Sequence, residues 1–360
     1  MRGDWEIKRW EDVLEIRSGR NQKDVENPDG KYPIYGSGGT IMNYADDYLC
    51  EEGTTIIGRK GTIDNPLFIE TKFWNVDTAF GLVAGEKLDK RYLYYFCLSF
   101  DFTSRDKGTT LPSLVKKDLK KIVIPIPPLP EQKRIVAILD EAFEAIDQAK
   151  TNIERNIENA EELFQSKLNE IFSQRGKGWV TEKLSNVFRM KSGDQLSKKN
   201  VIPGPYPVYG GNGITAHHKE YNLEGQQVLI GRVGAQCGNV HLTDEKIWLT
   251  DNAFRVTDLK YEFDFEFLEH LLRVKDLRQT ARQSAQPVIS NSSCKNVQLD
   301  FPESITQQKE IAELVNALDS EVLQVIEVYK TKLLALEELK KSILQKAFSG
   351  ELTVNEHVAA

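Results

Sequence analysis

The chain repeats itself, and this constrains its fold more than any other feature. The stretch WEIKRWEDVLEIRSG from Trp5 returns as WVTEKLSNVFRMKSG from Trp179, a shift of 174 residues. At the same shift Tyr32-Pro33-Ile34-Tyr35-Gly36-Ser37-Gly38-Gly39 matches Tyr206-Pro207-Val208-Tyr209-Gly210-Gly211-Asn212-Gly213. Ile57-Gly58-Arg59-Lys60-Gly61 matches Ile230-Gly231-Arg232-Val233-Gly234, and Asp77-Thr78-Ala79-Phe80 matches Asp251-Asn252-Ala253-Phe254. Gln132-Lys133 and Phe172-Ser173 return as Gln308-Lys309 and Phe348-Ser349. One shared dipeptide is chance, but an ordered series at nearly constant spacing is not. A period this long is a duplication rather than a solenoid, and it implies two similar surfaces related by an approximate two-fold axis.

Each repeat reads as a globular domain followed by a long helix. The expected limits are 1–130, a helix over 131–175, a second domain over 176–303, a second helix over 304–350 and a tail over 351–360. From Glu131 to Phe172 apolar residues recur in alternating steps of three and four, including Ile135, Ile146, Ile153 and Leu168. From Gln307 to Phe348 the expected seam includes Leu314, Leu318, Val322, Val325, Leu336, Leu339 and Ile343. This is the narrow stripe of a coiled coil. Pro130 with Glu131 suits a first helical turn, Ser304 or Thr306 can cap the second helix, and Gly176 and Gly350 stand near the ends. Forty-odd residues make rods of about 60 Å. Neither rod is stable alone in water, so antiparallel packing of one on the other is expected. The alternative is that each helix lies on its own domain.

The globular parts read as mixed α/β. Thr54–Gly58, Gln226–Gly231, Trp74–Val83 and Ile247–Val256 suit strands, as do Lys121–Ile126 and Asn296–Phe301. Tyr92–Phe100 and Phe265–Leu277 suit helices. The net charge is −7, but residues 1–130 carry 19 basic against 20 acidic side chains, and 176–303 carry 16 against 15. The acidic excess therefore sits on the helices. Neutral domains can still present a basic face. No apolar run is long enough to span a bilayer and no apolar signal core follows Met1, so a cytoplasmic location is expected. The four cysteines are scattered and read as free thiols, with no zinc site expected.

Catalytic constellations are not found. There is no phosphate loop, no dinucleotide fingerprint and no methyltransferase or nuclease motif. Asp77 and Asp251 recur without a matching second acid or histidine, which suits a carboxylate in a turn. What recurs is equipment for reading DNA. Arg59, Lys60 and Arg232 follow a strand between glycines and suit guanine edges or phosphates; internal ion pairing is the alternative. Tyr35-Gly36-Ser37 and Tyr209-Gly210 with Asn212 form turns that either meet the duplex or serve the fold alone. Two late loops carry Arg105, Lys107 and Thr109, and Arg278, Arg282, Gln283 and Gln286. Their side chains suit base edges, or else these are plain surface loops.

The run Ile124-Pro125-Ile126-Pro127-Pro128-Leu129-Pro130-Glu131-Gln132-Lys133-Arg134-Ile135 resembles the central conserved region of type I restriction–modification specificity (HsdS) subunits. Ile343-Leu344-Gln345-Lys346-Ala347-Phe348-Ser349-Gly350-Glu351-Leu352 resembles their C-terminal conserved region. The Tyr-Pro-x-Tyr-Gly and Ile-Gly-Arg-x-Gly motifs look like those of their target-recognition domains, and the resemblance covers the whole chain. The second helix departs from it, starting Ser-Ile-Thr-Gln-Gln-Lys. The resemblance implies an α+β protein with two duplicated target-recognition domains separated by an antiparallel, pseudo-two-fold helix pair. Such a chain is non-catalytic. It reads a bipartite, asymmetric site in double-stranded DNA, with the coiled coil fixing the spacer. It docks two modification (methyltransferase) subunits and, through the complex, restriction (motor and nuclease) subunits. S-adenosylmethionine, ATP and magnesium are expected on those partners and none on this chain. Rival readings are an autonomous DNA-binding protein and a scaffold using its coiled coil; an enzyme is disfavoured by the missing motifs.

Overall fold

The computed structural model describes residues 5–282 and 286–353. The chain forms two compact units, Met1–Glu154 with Lys330–Ala360, and Arg155–Tyr329. Each unit holds one globular domain and a portion of both long helices. Among the described residues no helix is long and apolar enough to cross a membrane. Cys50, Cys97, Cys237 and Cys294 are free and buried.

In the first unit a four-stranded antiparallel sheet runs Leu14–Ser18, Ala79–Ala84, Thr54–Gly58, Leu67–Ile69. Every residue of Thr54–Gly58 is buried, which is why that segment reads as an unbroken apolar run. A three-stranded sheet carries Ile41–Ala45, Tyr32–Tyr35 and Trp74–Asn75. The expected single strand Trp74–Val83 is thus two strands in different sheets, separated by a turn at Asp77-Thr78. Glu6–Arg9 pairs antiparallel with Val123–Ile126, the segment leading into the first long helix. Lys90–Ser99 is helical, with the Asp89 carboxylate accepting from the Arg91 and Tyr92 amides at 2.9 and 3.0 Å.

The second unit repeats this order. Its four strands are Arg189–Ser192, Ala253–Thr257, Gln227–Gly231 and Val240–Thr243. Its three are Gly213–His218, Tyr206–Gly210 and Trp248–Leu249, and Trp179–Lys183 pairs with Gln298–Pro302. The expected strand Ile247–Val256 is likewise split. The helix here is Phe265–Val274, three residues shorter than expected, with Asp264 accepting from the Phe267 amide at 3.0 Å.

The long helices are Leu129–Ser173 and Ile305–Ser349. Ser304 starts the second, its hydroxyl 3.5 Å from the Gln307 amide. Gly350, with φ of 84°, stops it; the first ends before Gly176, and the left-handed glycine there is Gly178. Near each start a glutamine is fully buried. Gln132 accepts from the Asp89 amide at 2.7 Å and donates to the carbonyls of Lys87 (2.9 Å) and Pro127 (2.8 Å). Gln308 accepts from the Asp264 amide at 2.9 Å and donates to the carbonyls of Glu262 (3.2 Å) and Pro302 (2.8 Å). At the far ends Phe348 packs on Tyr92 and Phe96, and Phe172 packs on Phe267.

Within each unit the helix portions run antiparallel. In the first, Lys150 pairs with Glu337 and Asp147 with Lys340, so three steps forward on one helix are three steps back on the other. In the second, Phe172 shares a core with Ala312 and Val315, while Phe164 lines a cleft with Val322 and Ile326. Ile135, Ile146 and Leu168 are buried as expected, and Ile153, Leu318, Leu336 and Ile343 are half-buried. Val325 is a correction. It is 45% exposed, and its neighbour Ile326 is buried instead. Leu314 and Leu339 also face outward, where Val315 and Ile343-Leu344 take the inward places. Adjacent apolar residues allow either to continue a three–four stripe, and the packing selects one.

Removing either buried amide strands one amide donor and two carbonyls. Gln132→Ala and Gln308→Ala should each lower stability by roughly 2–4 kcal/mol, whereas Gln148→Ala on the exposed face should change it by under about 0.5 kcal/mol. Urea unfolding followed by circular dichroism checks this, and equal small effects at all three sites would contradict the assignment.

Candidate nucleic-acid interface

Three sequence motifs meet at one edge of each domain. The loop after Thr54–Gly58 returns its Arg59 amide to the Thr78 carbonyl at 2.7 Å, and Arg232 does the same with Asn252 at 2.9 Å. Gly61 donates to the Pro112 carbonyl and Leu114 to the Arg59 carbonyl, at 2.9 and 2.8 Å. In the second domain Gly234 donates to Pro287 at 2.9 Å and Ile289 to Arg232 at 3.0 Å. The arginine loop is therefore sewn to the late loop in both copies. The Ile-Gly-Arg-x-Gly spacing has two causes. A Cβ on Gly231 would stand 2.3 Å from the Gly211 carbonyl oxygen of the Tyr-Gly turn. Gly61 and Gly234 hold φ of 84° and 100°, the left-handed region. On the other face of Gly61, a Cβ would lie 3.7 Å from Ser37 Oγ.

The two arginines are held alike. Arg59 Nη1 donates to the Asp77 carbonyl at 3.2 Å and its guanidinium lies 5.8 Å from the Phe80 ring centre. Arg232 Nη1 donates to the Asp251 carbonyl at 3.1 Å and reaches Ser192 Oγ at 3.4 Å, with Phe254 at 5.5 Å. Among the described residues neither forms an ion pair with a carboxylate, so the ion-pair alternative is not what is found. The phenylalanine of Asp-x-Ala-Phe supplies the ring in both copies, while the aspartate contributes only its main-chain carbonyl. Neutral partners orient each guanidinium without cancelling its charge.

The late loop of the first domain is rigidified by Asp106. Its carboxylate accepts from the Gly108 and Ser113 amides at 2.7 and 2.8 Å, and these bonds hold it below the usual carboxylate range. Arg105, Lys107 and Thr109 are exposed around it, as is Lys60. In the second domain Arg278, on a single turn at Leu277–Thr280, is exposed with Arg282 and Gln286; Gln283 lies outside the described residues. Asn212 and Gln286 line a cleft of about 370 Å³ with Thr215, Val233, Asn252 and Lys198.

Tyr209 is corrected. It is only 8% exposed and packs with Leu229, Ile247 and Leu249, so its ring is core and cannot meet a duplex. Tyr35 is half-buried, edge-on to Phe73 at 5.7 Å. Gly36 and Gly210 are buried as well, each covered by the following hairpin strand. The tyrosines recur because they anchor the turn; Ser37 is half-buried and Asn212 is exposed.

A cluster not singled out from the sequence also occurs twice. Lys72 lies over Tyr48 at 4.3 Å, is paired with Glu51 at 2.9 Å, and Tyr48 packs on Tyr32 at 5.1 Å. Lys246, Tyr221, Glu224 and Tyr206 repeat it at 4.5, 3.5 and 5.0 Å. Glu51 and the Tyr48 hydroxyl hold the Lys72 ammonium in its charged form. Shifts of 173 and 174 residues relate these positions, so the same register comparison would have found them.

The family model of the type I restriction modification DNA specificity domain matches residues 2–159 and again 176–333. The chain belongs to this family. As a specificity subunit it is 30% identical over 268 residues to the type I restriction enzyme EcoprrI specificity subunit of Escherichia coli, a match spanning 68% of this chain and 64% of that relative. It is 22% identical to a putative type I specificity subunit of Mycoplasma pneumoniae over 96% of both chains. The fold matches a chain solved in a study of complex assembly and conformational transition of the type I system, with a TM-score of 0.79 at 18% identity over 98% of this chain and 99% of that one. It also matches the HsdS subunit of Thermoanaerobacter tengcongensis, with a TM-score of 0.57 at 18% identity over 98% of both. The subunit is thus the DNA-recognition component of a type I restriction–modification system, with two duplicated α+β domains and a helix pair. The relatives are named as specificity subunits, and a non-catalytic role follows.

Because the Asp106 carboxylate is stabilised only while ionised, the loop order it provides is present above the normal aspartate range, about 3.9, and is lost as pH falls through its depressed value. In the specificity subunit the Gly108 and Ser113 amide resonances should shift together with one midpoint below that range. Asp106→Ala should abolish the transition, and independent titrations of the two amides would refute the shared anchor.

Proposed function

We propose that the two domains read the two halves of a split, asymmetric site in double-stranded DNA, with the helix pair setting the unread spacer. One observation carries this reading. The same three-loop edge is built twice by matching hydrogen bonds, yet it presents Lys60, Lys107 and Thr109 in one copy and Val233, Arg282 and Gln286 in the other. A common frame with different side chains suits two similar docking geometries and two different sequences. Arg59 and Arg232 would contact guanine edges or phosphates in their halves.

Each repeat would dock one modification subunit, giving two per complex, and restriction subunits would join them. S-adenosylmethionine, ATP and magnesium would reside on those partners. Apolar side chains left exposed on the second helix, among them Leu323, Val328 and the 70% exposed Leu334, support a protein-docking role for that helix. Acting on DNA, the subunit would work in the cytoplasm.

Methylome sequencing of a host carrying the complex should show a bipartite motif with unlike halves; a continuous or palindromic motif would count against the reading. Arg59→Ala should relax recognition of one half and Arg232→Ala that of the other, with unfolding midpoints nearly unchanged. A matched heptad inserted into both long helices should change the preferred spacer and neither half-site. Gel shifts with and without modification subunits separate this reading from an autonomous DNA-binding protein.

A further inference from the structure

The hairpin strand beside each Tyr-Gly turn carries one extra residue. Pairing steps from Ile34–Asn43 to Tyr35–Ile41, leaving Met42 unpaired, and from Val208–Ala216 to Tyr209–Ile214, leaving Thr215 unpaired. A bulge of this kind re-aims its side chain. Met42 Sδ stands 3.0 Å from where a Cβ on Gly36 would be, with Val76 Cγ2 at 4.0 Å. Thr215 Cγ2 stands 3.0 Å from the same point on Gly210, with Thr250 Oγ1 at 3.8 Å. The two positions are therefore structural equivalents.

A second pair of equivalents flanks the same place. Pro112 and Pro287 accept corresponding bonds from Gly61 and Gly234, so the preceding residues, Leu111 and Gln286, correspond. Thr215 and Gln286 line one cleft. In the first domain Met42 takes the place of Thr215 with Val76 beside it, and Leu111 takes the place of Gln286. Met42 is 58% exposed and Leu111 65%. Single exposed apolar side chains are ordinary. Here two of them replace two polar ones at matched positions, beside an arginine whose charge is not cancelled.

Resting on the DNA-reading proposal above, we infer that the bulge position and the residue before the late-loop proline are paired specificity positions. In the first domain Met42 and Leu111 read the 5-methyl groups of thymine by apolar contact. In the second, Gln286 reads a base edge by hydrogen bonding, with adenine N6 and N7 its natural match, and Thr215, whose hydroxyl donates to the Val208 carbonyl at 3.2 Å, offers its oxygen as an acceptor.

The test uses the complex reconstituted with its modification subunits and the motif from methylome sequencing. The first domain's half is the one that Arg59→Ala degrades. Each thymine is replaced by deoxyuridine, which removes the methyl and leaves pairing intact. At one or more thymines of that half, affinity should fall roughly threefold to tenfold, as burial of one methyl group implies. Deoxyuridine in the other half should have no effect. Met42→Thr with Leu111→Gln should remove the sensitivity while recognition of the other half persists, which also shows that the variant is folded. Full affinity for every substituted duplex, equal losses in both halves, or a first half without thymine would overturn the inference while leaving DNA reading intact. A complex that selects no sequence would sink the DNA-reading proposal itself.

Discussion

The buried glutamine at the start of each long helix is the contact on which the remaining architecture depends. Its site presents one amide hydrogen and two carbonyl oxygens, from Asp89, Lys87 and Pro127 in one copy and Asp264, Glu262 and Pro302 in the other. Only a side chain with both a donor and an acceptor satisfies that set, and a carboxylate would face the carbonyls with nothing to donate. The aspartate whose amide is bound also caps the domain's own helix. Two helices are thus joined at their starts through three residues. The long helix is tied to its domain there, and in the first copy Ile135 and Leu139 of the following turns join the same core.

That junction is closed by a second contact from the other long helix. Phe348 enters the core of the first domain and Phe172 that of the second, so each domain holds the beginning of one rod and the end of the other. Polar groups beside the junction differ between copies. Asp140 accepts from Arg91 at 2.7 Å and from the Tyr95 hydroxyl, while Asn316 bonds His270 and Glu266, each at 2.7 Å. The frame is duplicated, but the charges at the two junctions are not.

How much of this was legible depends on range. The duplication and the rods were readable because repeats and heptads are written locally along the chain. The recurrence of Gln132 and Gln308 was visible, but their partners lie more than forty residues away for two of the three bonds, so their role was not. Trp74–Val83 reads as one strand because the alternation of apolar and polar residues from Trp74 to Asp77 runs straight into the apolar stretch from Ala79. The turn at Tyr209 reads equally as a duplex contact or as a structural turn, because a motif does not say which face its ring takes. The fate of Arg59 turned on Phe80, a residue in another recurring motif whose connection only the fold supplies.

Charge explains how neutral domains can act on a polyanion. Lys72 and Lys246 are paired with Glu51 and Glu224, so their charges are largely cancelled and they anchor tyrosines rather than attract phosphates. Arg59 and Arg232 are oriented by a carbonyl and an aromatic ring, which fix a guanidinium without neutralising it. Both arginines thus keep their charge at the edge where the recurring motifs meet. Phosphate neutralisation dominates DNA affinity and its salt dependence. Under the proposed reading, two oriented arginines supply discrimination between sequences more readily than bulk attraction, which makes selectivity and grip separable properties.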